Sequence, residues 1–149
     1  MSPEQLFSLC TMLVLPGWLL LVFLPRWRWS SRLVAPVVIP LALACVYLFL
    51  IATHFGESEG DFNSLAGVSK LFQNPYSLLA GWIHYLAFDL FVGAWEVRDA
   101  QRAGVHHLLV VPCLFLTFFF GPTGLLLYFV LRFAVRRQLF VGGHADGRA

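Results

Sequence analysis

Charge is scarce in this sequence. Only 12% of its 149 residues are Asp, Glu, Lys or Arg, and lysine is reduced to Lys70 alone. So little polar surface cannot cover a water-soluble core of this size. No glycine-rich phosphate loop and no H-E-x-x-H motif is present, and the histidines are not spaced as ligands on one helix, so dinucleotide and metal chemistry have no signature here. Neither a cofactor nor a metal is expected. Cys10, Cys45 and Cys113 form no C-x-x-C pair and each lies in an apolar run, which predicts small core residues and no disulfide. Internal repeats are also missing, which removes the usual mark of a secondary transporter. The first apolar run follows Glu4 without a basic leader and has no small-residue cleavage site before "LPRWRW", so it is expected to be a retained span with the mature chain starting near Met1.

What the sequence does contain is apolar length. Hydrophobic residues make up 59% of it and aromatics 16%, and uncharged runs recur at Leu6–Leu24, Leu33–Thr53, Pro75–Phe88 and Val105–Leu131. Each is near or above the roughly 20 residues that cross a bilayer core. The fold class expected is all-α, a polytopic transmembrane helix bundle forming one domain over residues 1–139. The last ten residues, "VGGHADGRA" with its preceding Phe140, read as a disordered tail over 140–149.

The span count turns on "FFFGPTGLLLYFVLRFAVRRQ", where Gly121 and Gly124 flank Pro122 and Thr123. Such a cluster either kinks one helix or turns between two, with Thr123 able to cap the second. Four spans distribute the basic residues evenly between the two sides. Five spans leave Lys70 on one side and all nine arginines on the other. Because positive charge collects on the cytoplasmic side, the sequence predicts five spans with the N-terminus outside and the C-terminus inside, four with a kinked last helix being the alternative. The loop "GESEGDFNSLAGVSKLFQNP" suits the outer side, and "SLAGVSKLF" within it suits a short interfacial helix.

The third run carries the chemistry. At about 100° per residue, Trp82, Tyr85, Asp89 and Glu96 share one stripe, while His84, Phe88, Phe91 and Trp95 share another, more than about 100° away. A charged side chain in hydrocarbon costs on the order of 3 kcal/mol, so Asp89 is expected to face the bundle interior with a partner or with its carboxyl protonated. Arg132 is the expected partner, since five spans place both roughly 10 Å from the inner surface. Glu96, Arg98, Asp99, Arg102, His106, His107 and Arg136 would then gather around a polar cavity beneath an aromatic-lined pocket, a shape suited to an apolar substrate with one polar end. The competing reading makes Asp89 and Arg132 helix-joining groups, His106 and His107 interfacial or capping residues, and "WEVRDAQR" a solvated loop with local ion pairs.

Three segments, "PGWLLLVFLPRW", "LFQNPYSLLAGWIHYLAFDLFVGAWEVRDAQRAG" and "FGPTGLLLY", together resemble the family of the plant abscisic-acid-deficient-four protein, the membrane component linked to neoxanthin synthesis, and its bacterial relatives. The resemblance runs from about Leu15 to Tyr128. Without the long transit segment of plastid members, the chain looks like a bacterial relative in a cytoplasmic membrane. The resemblance implies a membrane-embedded isomerase-like protein acting on a carotenoid or related isoprenoid. The reaction would be an epoxide opening or double-bond rearrangement without a redox cofactor, needing an acid near the oxygen and a base near the departing proton. Asp89 is the candidate acid, His84 the candidate base and Tyr85 a group to hold the oxygen. Trp82, Phe88, Trp95 and Arg132 are the candidate substrate-binding residues. A non-catalytic carotenoid- or lipid-binding scaffold is the alternative. The partners implied are membrane lipid and an apolar isoprenoid or carotenoid ligand, with a second copy or a biosynthetic enzyme also compatible. Nucleic acid is not implied.

Overall fold

The structure, a computed structural model, describes residues 1–54, 56 and 59–137. It is an all-α, multi-helix fold. Helix α1 covers Pro3–Phe23, α2 Ser30–His54, α3 Leu65–Leu71, α4 Pro75–Ala103, α5 His107–Phe120 and α6 Pro122–Arg136. Helices α1, α2 and α4, with 21, 25 and 29 residues, are long and apolar enough to cross a membrane.

Local sequence explains where the helices begin and end. Ser2 and Gln5 form a reciprocal capping box at α1. Asn74 caps α4 by accepting from the backbone N–H groups of Tyr76 and Ser77, with Pro75 at the first helical position. Gly104, at φ 64°, closes the same helix in the left-handed conformation. The expected interfacial helix is α3, capped by Ser64 through Gly67 N–H.

Helix α4 is the axis of the bundle. Helix α1 runs parallel to it, with Phe7 beside Trp82 and Trp18 over Gly93. Small residues allow close approach: a Cβ at Gly17 would meet Leu90 at 2.8 Å, and one at Gly93 would meet the Trp18 ring at 2.7 Å. Helix α2 runs antiparallel to α4, pairing His54 with Tyr76, Tyr47 with His84, and Ser31 with Arg98.

The last two helices are shorter than the spans expected of them. Helices α5 and α6 have 14 and 15 residues, about 20 Å each and short of a bilayer crossing. They are not one kinked helix either. Gly121, at φ 41° and ψ −97°, reverses the chain, and α6 returns along α5 with Gly124 packed directly on Thr117. Gly121, not Thr123, is the N-cap of α6, and it has no side-chain cap. The turn lies against Asp89, whose Oδ1 is 3.0 Å from where a Gly121 Cβ would be. Asp89 is the midpoint of α4. The hairpin therefore covers only the half of α4 that leads to Gly104, where Arg136 lies.

A continuous apolar core joins α1, α2, α4, α5 and α6 around Val14, Leu21, Leu43, Ile83, Leu90 and Leu114. Cys10 and Cys113 are buried in it as expected, whereas Cys45 is exposed, because it lies on the outward side of α2. The expected tail over 140–149 lies outside the described residues.

Candidate functional site

Helix α4 turns a column of polar side chains towards the α5–α6 hairpin. Tyr85 comes first, and its hydroxyl donates to the carbonyl of Phe118 at 2.9 Å. That carbonyl is available because the residue four positions on is Pro122, which has no N–H to donate. One turn later is Asp89, whose carboxyl interacts with the Tyr85 hydroxyl. Next comes Glu96, fully buried, which accepts from Thr117 Oγ1 at 3.0 Å through Oε1. Asp99 ends the column, accepting from Tyr128 Oη and from Arg132 Nε, each at 2.6 Å and both at Oδ2.

Two atoms in this column stand out. Among the described residues, the buried side-chain oxygens or nitrogens without a hydrogen-bond partner are Asp89 Oδ2 and Glu96 Oε2. Buried polar atoms are almost always paired. An unpaired carboxyl oxygen at the centre of a long apolar helix is therefore available for a proton or an incoming polar group.

The structure brings some of the expected site residues together and separates others. Asp89 and Tyr85 are neighbours, and Trp82 stacks on Tyr85 with centroids 5.3 Å apart while its Nε1 donates to Thr11 Oγ1 at 3.2 Å. His84 stands on a different face of α4, stacked on Phe88 at 4.4 Å and near Tyr47 of α2, as its angular separation from Asp89 implies. Phe88 is exposed. Trp95 packs edge-on against Tyr128, 5.5 Å away. Arg132 does not pair with Asp89. The hairpin turns level with Asp89, so Arg132, about three turns further along α6, arrives at Asp99 instead.

Nor do the polar groups of that end line one cavity. Glu96 and Asp99 face the hairpin, while Arg98 and Arg102 line a pocket with Arg32 of α2. His106 and His107 lie on a separate cleft of ≈ 830 Å³ with Arg26, Trp27 and Gln101. His107 Nε2 is 2.9 Å from the carbonyl of Val22, a tethering contact at the end of α1. "WEVRDAQR" is no loop: it continues α4, with Glu96 and Asp99 0% and 4% exposed. Thr117 and Tyr128 were not among the expected residues, and Glu96 and Asp99, expected to line the polar cavity, instead bond to these two across the helix interface. The signal for the two acids was their place two to three turns beyond Asp89 on its own helix. Among the described residues, no cluster of three His, Cys, Asp or Glu side chains is placed to hold a metal ion.

No solved structure matches this chain. A curated relative, "Protein ABA DEFICIENT 4, chloroplastic" from Arabidopsis thaliana, is 24% identical over 143 residues, which cover 91% of this chain and 64% of that protein. The chain thus spans less than two thirds of that relative's length. The relative corrects the expectation of a bacterial cytoplasmic membrane, since it is a plant protein of the chloroplast. Apolar helix length is read alike by any bilayer and names no compartment. A family model described as ABA DEFICIENT 4-like matches residues 5–128, the greater part of the chain, and the protein belongs to the ABA DEFICIENT 4-like family.

Proposed function

We propose that this protein is a membrane-embedded isomerase-like protein acting on a carotenoid or related isoprenoid, with Asp89 as its reacting group. The carrying observation is the buried, unpartnered Asp89 Oδ2 at the midpoint of α4, beside Tyr85 and against the Gly121 turn. The family resemblance supplies the substrate class, through its link to neoxanthin synthesis.

Such a reaction opens an epoxide and removes a polyene proton to give an allene, with no net redox change. A single carboxyl can serve both ends. One Asp89 oxygen gives its proton to the epoxide oxygen as the C–O bond breaks, and the other takes the proton lost from the polyene, so the acid is restored and atoms balance. Tyr85, whose proton is given to the Phe118 carbonyl, holds the oxygen end by accepting from it once it is protonated. Trp82, stacked on Tyr85, and exposed Phe88 form the lipid-facing approach. His84 has no direct part, since it stands on another face, and Arg132 acts by holding α6 to α4 through Asp99.

The membrane arrangement that best fits this site has three spans, α1, α2 and α4, with α5–α6 dipping in from the end of α4 at Gly104 and turning back near mid-bilayer. Both ends of the hairpin then emerge on one side. The charge asymmetry that favoured five spans is preserved, because every arginine among the described residues lies at that end and Lys70 at the other.

The test is the pigment profile of a carotenoid-producing host carrying either the wild type or Asp89→Asn at matched membrane abundance. An isomerised species of unchanged mass is expected with the wild type and not with Asp89→Asn. Identical profiles would sink the catalytic reading and favour a non-catalytic carotenoid-binding scaffold, for which the hydrogen bonds from α4 to the hairpin already provide a helix-joining role.

A further inference from the structure

At the arginine-rich end, α2 and α4 enclose a pocket of ≈ 210 Å³ lined by Arg32, Arg98, Gln101 and Arg102. No acidic side chain lines it. Asp99, next to Arg98 in sequence, is turned away and bonded to Arg132 and Tyr128. Arg98 is held in place by donating from Nη1 to the carbonyl of Ser31 at 2.5 Å. That carbonyl is free for a reason in the sequence: Ser30–Val38 is wound as a π-helix, and the donor it would find five residues on is Pro36, which has no N–H. Arg98, Arg102 and Arg32 repel one another, and such a gathering of like charge is relieved when an anion binds among them. Guanidinium groups match tetrahedral oxyanions through paired hydrogen bonds.

The surroundings say what carries the anion. Trp27 and Trp29 are 47% and 46% exposed on the turn before α2, the kind of residue that marks a membrane–water interface. From the pocket towards the bilayer centre, exposed apolar side chains follow on both helices: Leu33 and Val37 on α2, and on α4 Phe91, two turns before Arg98 on its face. A charged pocket at the interface with an apolar track leading from it fits an amphiphile.

We propose that this pocket binds the headgroup of an anionic glycerolipid, with the acyl chains lying along Leu33, Val37 and Phe91. The test uses the full chain in detergent, titrated with phosphatidylglycerol or phosphatidylcholine and read by native mass spectrometry. Phosphatidylglycerol is expected to bind more tightly, and Arg32→Gln with Arg102→Gln to weaken it roughly thirtyfold. Arg26→Gln with Arg28→Gln, the same charge loss outside the pocket, is expected to change it by no more than about twofold. Where the glutamine pair is not monodisperse, Arg32→Lys with Arg102→Lys replaces it, keeping charge but losing the paired hydrogen bonds, and weakening by at least about threefold is expected. Equal weakening by the two glutamine pairs, equal binding of the two lipids, or lysine variants that bind like wild type would overturn the proposal. So would displacement of the lipid by equimolar inorganic phosphate, which would assign the pocket to a free anion.

Discussion

Asp99 concentrates two short hydrogen bonds on one oxygen, from Tyr128 and from Arg132, at a point where neither charge reaches water. Removing one member of such a pair strands the other. Asp99→Ala should therefore destabilise the protein by about 3–5 kcal/mol, seen as a large fall in the unfolding midpoint in detergent. Replacing both charged partners, Asp99→Leu with Arg132→Met, should recover part of that loss, because no buried charge is left unpaired although the Tyr128 hydroxyl loses its acceptor. A double replacement no more stable than Asp99→Ala would show that the pair is not what holds this end. Asp89 differs in kind. Its Oδ2 has no partner to strand, so Asp89→Asn should abolish any isomerised product while leaving the unfolding midpoint within about 1 kcal/mol of wild type.

At the scale of the element, proline and the side chains of α4 work together. A carbonyl that loses its helical donor to proline inside an apolar bundle must find another, since no water is at hand. Pro36 leaves Ser31 to Arg98, and Pro122 leaves Phe118 to Tyr85. Tyr85→Phe keeps the ring and removes the donor, so the Phe118 carbonyl is left unsatisfied. The expected cost is about 1–3 kcal/mol, accompanied by faster amide exchange at the α5–α6 turn. An unchanged exchange pattern there would show that the turn is held by the conformation of Gly121 alone, which at φ 41° few other residues adopt.

For the molecule as a whole, the decisive question is where the hairpin goes. With three spans and a returning hairpin, His106→Cys and Arg136→Cys should react with a membrane-impermeant thiol reagent from one side and Asn63→Cys from the other. Thr123→Cys, exposed near the tip of the hairpin, should resist the impermeant reagent from both sides. The background needs Cys45 replaced, as it is the exposed native cysteine. Labelling of Thr123→Cys from the Asn63 side would restore five full spans.

Much of this architecture follows from the sequence by itself. Apolar length marks α1, α2 and α4 because a bilayer-crossing helix needs a run of that length whatever its neighbours are. The Asn-Pro start of α4, its Gly104 stop and the turn at Gly121 are equally local, arising from caps and backbone conformation. That Asp89 and Tyr85 share one face of α4 was legible from helical periodicity, as was the placement of His84 on another. What only the tertiary structure decided is level and partnership. The apolar run after Gly104 divides into two helices of 14 and 15 residues, and the turn between them settles against Asp89. That one placement sets Arg132 beside Asp99, buries Glu96 under Thr117, and frees Arg98 and Arg102 to face α2. Periodicity tells which residues share a face of one helix. How far one helix slides along another is set by side-chain packing between them, here by Gly17, Gly93 and Gly124 allowing contact, and no single segment encodes it.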